Sequence, residues 1–141
     1  MIYENQNKQD TESIAKKLAK TLLKGDIILL YGELGAGKTF FVNKLCKFLN
    51  VKSIVNSPSY VLLNEYEGQF NVYHYDLYRL STQEEAIELG ILERFSEGIT
   101  IIEWPELIKE YIPKKRIEIQ FEHNKDLRNI KIEVYQWKNT E

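Results

Sequence analysis

The run GELGAGKT, from Gly32 to Thr39, fits G-x-x-x-x-G-K-[ST] at every fixed position. That spacing is the chemistry of a phosphate loop: glycines let backbone N–H groups converge on an anion, and a lysine and a hydroxyl stand behind them. At average composition the pattern arises by chance in a chain of this length with a probability of roughly half a percent, so a bare glycine-rich turn is the weaker explanation. The setting agrees. An apolar run, Ile27 to Tyr31, feeds the loop, and an amphipathic segment, Lys38 to Leu49, leaves it. The loop therefore belongs at a helix N-terminus, where the helix dipole favours negative charge. Gly32, Glu33, Leu34, Gly35, Ala36 and Gly37 are expected to cradle phosphates. Lys38 is expected against the β and γ phosphates of ATP, and Thr39 on a magnesium ion.

Such a loop works with a carboxylate at the end of a neighbouring buried strand, which holds the metal or its water. Glu103, directly after the apolar run Ile99 to Ile102, fits that slot, and its bland alternative is a solvated acid at a strand end. Asp76, ending the run HYDLYRL, is the second candidate. It could orient or deprotonate water near the γ phosphate or help hold the metal, against the alternative of a capping or surface aspartate. The residues leave open which of the two is the base and which serves the metal. His74 lies two residues before Asp76 and so on the same strand face. Without cysteines or a second close histidine it reads as a packed or hydrogen-bonded imidazole and not as a metal ligand. Arg79 could meet phosphate, a partner or only water. Trp104, beside Glu103, could pack near a nucleotide, near a partner or in the core. Tyr73, Tyr75 and Tyr78 alternate with polar residues, which points to a sheet edge or a contact face.

The elements that would hold these residues can be read along the chain. Thr11 to Leu23 carries apolar residues every four positions, so a helix is expected there with Asp10 or Thr11 as its cap and Gly25 and Asp26 beyond its end. Ile27 to Tyr31 and Ile99 to Ile102 are continuous apolar runs of the kind buried on both faces of a parallel sheet. Tyr60 to Tyr66 and Phe70 to Asp76, around Glu67, Gly68 and Gln69, read as a β-hairpin. Ser81 and Glu84 have capping-box spacing for a helix to Leu89, stopped at Gly90, and a further short turn is expected from Ile91 to Phe95. Pro105 opens a helix to Tyr111. Alternation over Ile117, Ile119, Phe121 and then Ile130, Ile132, Val134 predicts two antiparallel strands around Asn124 and Lys125. The mixture predicts an α/β sandwich of the P-loop NTPase type, with a central, partly parallel sheet flanked by helices and antiparallel hairpins.

The 141 residues fit one domain, 1–141, with one site. Hydrophobic residues at 43% and charged residues at 28% describe an ordinary globular chain and argue against disorder. Nineteen Lys and Arg against 21 Asp and Glu give a net charge of -2, no field for gripping nucleic acid, so any RNA contact is expected through a partner. The start, MIYENQNKQD, has no apolar run behind a basic segment, and no stretch has spanning length, so a cytoplasmic protein without membrane contact is expected. Cys46 falls in the apolar pattern of Phe41, Val42, Leu45, Phe48 and Leu49 and reads as a buried small side chain.

Beyond the loop, several segments resemble one family, TsaE, the small ATPase of bacterial threonylcarbamoyladenosine tRNA modification. They are Thr11 ahead of the first helix, GELGAGKT, NSPSY from Asn56, NEYEG from Asn64, HYDLYRL from His74, EEAIELG from Glu84 and IIEWPE from Ile101, in the family's order and across most of the chain. The resemblance implies ATP binding and hydrolysis with Mg2+, Lys38 and Thr39 at the phosphates and metal, and Asp76 and Glu103 in the metal and catalytic region. It puts Thr11 near the adenine side, Trp104 near the site, and makes Ser57 to Tyr60 a segment responsive to the nucleotide. The implied partners are TsaD and TsaB, whose complex modifies tRNA and would be reset by the hydrolysis between turnovers. Ser59 stands where the family has Thr, and Glu33 where it has Asp.

Two other readings compete. A small kinase would share the loop and pass the γ phosphate to an acceptor, but it would use several cations on the transferring group, and Arg79, Arg94, Arg116 and Arg128 form no arginine-rich lid segment. A GTP-dependent switch would need N-K-x-D, and after Asn124 and Lys125 the acid, Asp126, comes one residue early.

Overall fold

A computed structural model describes residues 1–33, 36–52 and 62–136. Leu34, Gly35 and Ser57 to Tyr60, all singled out above, lie outside the described residues.

Among the described residues seven strands form one sheet. They are β1 (Ile2–Gln6), β2 (Ile27–Tyr31), β3 (Leu63–Glu67), β4 (Asn71–Asp76), β5 (Ile99–Glu103), β6 (Arg116–Asn124) and β7 (Leu127–Tyr135). The helices are α1 (Lys8–Ala19), α2 (Lys38–Phe48), α3 (Gln83–Glu88) and α4 (Ile91–Arg94), with a 3-10 helix at Pro105–Tyr111. The spatial order is β1-β7-β6-β2-β5-β4-β3. The centre is parallel: β2 pairs with both β5 and β6, and β5 with β4. Both margins are antiparallel, β3 against β4 on one side and β6, β7 and β1 on the other. This is the partly parallel α/β architecture expected.

The continuous apolar runs are explained by two cores. Alternate residues of β2 go to opposite faces: Ile28 and Leu30 pack under α1 and α2 with Phe41, Val42 and Leu45, whereas Ile27 and Leu29 pack with Ala86, Ile91 and Ile108. A strand covered on both sides has no polar face to show. Tyr73 and Tyr75 belong to the second core, 7% and 0% exposed, so the tyrosine alternation marks neither an edge nor a contact face there. β4 is interior, between β5 and β3, and only Tyr78, beyond its end, is exposed. Cys46 is fully buried, and burial pushes its thiol up to about 12.

Local chemistry moves several boundaries. α1 begins earlier than expected because Asn7, not Asp10 or Thr11, is the cap: its side chain accepts from the Asp10 N–H at 2.8 Å, and Asp10 returns a bond to the Asn7 N–H at 3.0 Å. α1 ends at Ala19 and not at Leu23, with the Thr21 hydroxyl donating back to Leu18. The capping box of α3 is Thr82 with Glu85, one residue after the expected pair. β1 was not foreseen. Its sequence, IYENQ, holds two apolar residues, and it is an edge strand with a register shift and Asn5 at φ 53. Among the described residues no helix is long and apolar enough to cross a membrane.

Candidate functional site

The parallel strands point their C-terminal ends toward the loop that follows β2, the edge where open α/β sheets hold ligands. In register, Leu30 pairs with Glu103 and Glu103 with Asp76. Asp76 and Glu103 therefore stand side by side at the ends of adjacent strands. His74 and Asp76 share a face with Val72, and Glu103 with Ile101, which is the face covered by α1 and α2. Gly37, in the left-handed region at φ 103, is the N-cap of α2, so Lys38 and Thr39 form its first turn directly above that carboxylate pair.

Lys38 is 4% exposed. Its ammonium donates to the Gly32 carbonyl at 2.6 Å, lies 4.0 Å from Glu103 Oε1, and sits 4.5 Å from the centre of the Trp104 ring. Burial pulls the amine below its ordinary value, against the raising pull of Glu103, Asp76 and Glu106. The other Glu103 oxygen accepts from His74 Nε2 at 2.6 Å, in a pair 0% and 5% exposed at the side chains. His74 is thus the hydrogen-bonded imidazole expected, and its task is specific: it fixes the plane of Glu103 so that Oε1 faces Lys38. Burial raises the Asp76 carboxyl above its ordinary value, the Tyr78 N–H bonded to Oδ1 at 3.0 Å lowers it, and Glu103 raises it again.

Trp104 takes a left-handed backbone, φ 57 and ψ 56, which carries the chain sharply from β5 into the Pro105–Tyr111 helix. Tyr78 packs on its ring at 4.9 Å between centres. The lysine therefore lies over the Trp104 ring, and Tyr78, two residues past Asp76, packs on that ring. The packing of Tyr78 on Trp104 is the contact that sequence reasoning missed.

Gly32 leaves β2 at φ 142, and a Cβ there would stand 2.7 Å from the Phe121 carbonyl oxygen of β6. The first glycine of the loop is thus required by close approach to a neighbouring strand. Glu33 is exposed, Ala36 is buried, and Thr39 is exposed at the mouth. Thr11 is 0% exposed, and its hydroxyl donates to the Asn7 carbonyl at 2.8 Å, so in this conformation it presents no surface to a ligand. A cleft of about 530 Å³ opens beside the loop, lined by Gly32, Glu33 and Ala36 with Gln120, His123 and Lys131 among others.

A loop at the end of a central parallel strand, a lysine turned into it and two acids on adjoining strands define a P-loop α/β fold of the nucleotide-binding type. The model of the family described as "Threonylcarbamoyl adenosine biosynthesis protein TsaE" matches residues 5–130. The chain belongs to the TsaE family, which is involved in tRNA threonylcarbamoyladenosine biosynthesis. It is 40% identical over 134 residues to the tRNA threonylcarbamoyladenosine biosynthesis protein TsaE of Rickettsia typhi, covering 92% of this chain and 93% of that one. To the protein of the same description from Bacillus subtilis it is 39% identical over 115 residues, 80% and 72% of the two chains. A crystal structure of Bacillus subtilis YdiB superposes with a TM-score of 0.80 at 31% identity, over 96% of this chain and 86% of that one.

Proposed function

We propose that this chain is the MgATP-binding and hydrolysing subunit of the machinery that makes threonylcarbamoyladenosine in tRNA, and that its hydrolysis resets a TsaD–TsaB complex between turnovers in the cytoplasm. The observation that carries the reading is the buried cluster of Lys38, Glu103 and Asp76 under the first turn of α2. A lysine below its ordinary value, beside two acids and a helix N-terminus, is a charge arrangement that a polyphosphate with a divalent cation completes.

The donor set fits magnesium. Among the described residues no group of three or more His, Cys, Asp or Glu side chains gathers into a metal nest. Magnesium needs no such nest, since it keeps several waters and takes one or two carboxylates together with substrate phosphates. Glu103 and Thr39 would hold it, with Asp76 adjoining. The ion would supply charge neutralisation at the β and γ phosphates.

This chain's own residues would do the rest. Backbone N–H groups of Gly32 to Thr39 hold the phosphates, and Lys38 leaves the Gly32 carbonyl to meet the β and γ oxygens. His74 keeps Glu103 oriented toward the metal side. Asp76, held by Tyr78 and raised by burial, accepts the proton of the attacking water. Trp104, backed by Tyr78, covers the lysine. Transfer RNA is engaged through the complex and not by this chain alone, in keeping with its net charge of -2.

The test is ATP hydrolysis by the purified chain and by Lys38→Ala, each alone and with TsaD, TsaB, tRNA and threonylcarbamoyl-adenylate. Phosphate release and multiple-turnover tRNA modification are both scored. Loss of both in Lys38→Ala is expected. Hydrolysis through Lys38 without any effect on repeated modification would sink the role in the complex and leave the ATPase.

A further inference from the structure

Arg128 is the second residue of β7, just past the hairpin tip, opposite His123 of β6 and Gln6 of β1. Because β7 runs back from the tip, Arg128 sits at the same edge of the sheet as the C-terminal ends of β2, β4 and β5. It shares a face with Ile130 and Ile132, the face under α1 and α2. Its guanidinium lies on Gly37: a Cβ on that glycine would stand 2.8 Å from Nη1, 3.1 Å from Cζ and 3.2 Å from Cδ. The same head is 5.8 Å from the centre of the Phe40 ring. Arg128 thus brackets the first turn of α2 from the side of β6 and β7, whereas Glu103 and Asp76 meet it from the side of β5 and β4.

The electrostatics of this position are unusual. Nε and Nη1 of Arg128 are buried and have no hydrogen-bond partner among the described residues, and no carboxylate there pairs with it within the 4.0 Å that marks the other ion pairs. Buried donors left unpaired are costly. Here they belong to a cation held against the positive end of a helix dipole, and one turn contains Lys38 as well. Two cations and a helix N-terminus, converging from opposite sides on one turn, are mutually repulsive until an anion lies between them.

We propose that Arg128 is a second phosphate-binding cation, reaching the α and β phosphates of the bound nucleotide while Lys38 serves the β and γ phosphates. The assignment rests on the nucleotide reading above and adds to it a residue and a direction: the diphosphate enters from the hairpin side and the γ phosphate ends at the carboxylates. Arg128 is therefore a binding and positioning group. A fork of N–H donors suits two phosphate oxygens at once, which lysine would not reproduce.

Calorimetric titration of ADP and ATP into the full chain, Arg128→Gln and Arg128→Lys tests this, with turnover measured on the same samples. Arg128→Gln is expected to weaken ADP and ATP by the same factor, about tenfold or more, and to raise KM, with kcat at saturation within about twofold of the parent. Arg128→Lys should recover part of that loss. Unchanged ADP affinity in Arg128→Gln, or a loss confined to kcat, would overturn the assignment. Should Arg128→Gln not fold, the unmodified chain decides through phenylglyoxal labelling mapped by mass spectrometry. ADP and inorganic pyrophosphate should each protect Arg128, and equal labelling with and without them would overturn the proposal. If the parent chain binds neither nucleotide, or Lys38→Ala binds both normally, the nucleotide reading falls and this assignment with it. Lys38-dependent binding indifferent to Arg128 overturns this assignment alone.

Discussion

Asp76 ends β4 beside Glu103, with one carboxyl oxygen accepting from the Tyr78 N–H. Burial raises it in the folded chain above its ordinary 3.8, so the native state binds this proton more tightly than the unfolded state does. Stability attributable to this group therefore falls as pH rises from the unfolded value through the raised folded value, and the deficit persists at neutral pH. Asp76→Asn removes the charge and keeps an oxygen to accept from the Tyr78 N–H. In metal-free buffer at pH 7 the variant is expected to melt above the parent, with the gain shrinking as pH falls through the raised folded value toward 3.8 and absent below it. If Asp76 takes the water proton, the same change lowers kcat by about a hundredfold or more while leaving ADP affinity in place. Thermal melts across pH and single-turnover hydrolysis check this, and a lower melting temperature at pH 7 with full turnover would reject it. Lys38, Asp76 and Glu103 were legible in the sequence because their cues are local: a fixed loop spacing and acids at the ends of apolar runs. Arg128 was not, since its nearness to Gly37 arises from sheet order, which no local spacing encodes. Nor was the Glu103 bond of His74, made across two strands distant in sequence.

Elements whose signal was strong and local came out where expected: β2 and β5 as doubly covered strands, α2 after the loop, β6 and β7 as an alternating hairpin. The helix starts shifted because a cap is a contest among several polar residues, and Asn7 with Asp10 closes two donors where Thr11 closes one carbonyl. β1 escaped because an edge strand that buries little carries little pattern; what holds it is pairing to β7, at the far end of the chain. The start of the loop after β2 is held in the same way, since Gly32 packs on β6. Gly32→Ala would require φ 142 of an L-residue and put a Cβ 2.7 Å from the Phe121 carbonyl, whereas Gly25→Ala, at φ 97, meets nothing nearer than 3.9 Å. Both pay conformational strain of about 1–3 kcal/mol. Gly32→Ala must in addition push the loop off β6, so it is expected to be the less stable variant in urea unfolding and to lose ADP binding with every loop side chain intact. Equal midpoints and retained binding would show that the approach to β6 is dispensable.

At the scale of the molecule the question is what the fold leaves for a partner to supply. Two of the arginines are committed elsewhere: Arg94 donates to Leu89, Gly90 and the Tyr75 hydroxyl, and Arg116 pairs with Glu118, while Arg128 lies against Gly37. Lys38 lies 4.0 Å from Glu103. Phosphoryl transfer to water gains about 10³–10⁵ in rate when an arginine meets the transferring group, and another protein can supply it in trans. The mouth of this site is suited to that, with Thr39 exposed and Tyr78 55% exposed beside the buried cluster. ATP turnover by the chain alone is therefore expected to be slow and to rise at least tenfold when TsaD and TsaB are added together, with the rise lost in Lys38→Ala. A coupled phosphate assay at saturating ATP reads this directly, and including nucleoside acceptors separates hydrolysis from kinase chemistry, since a kinase would speed up with the acceptor and release no phosphate. Equally fast release with and without the pair would mean that the site is already complete, and the reset would then have to come from nucleotide-dependent docking and not from partner-triggered hydrolysis.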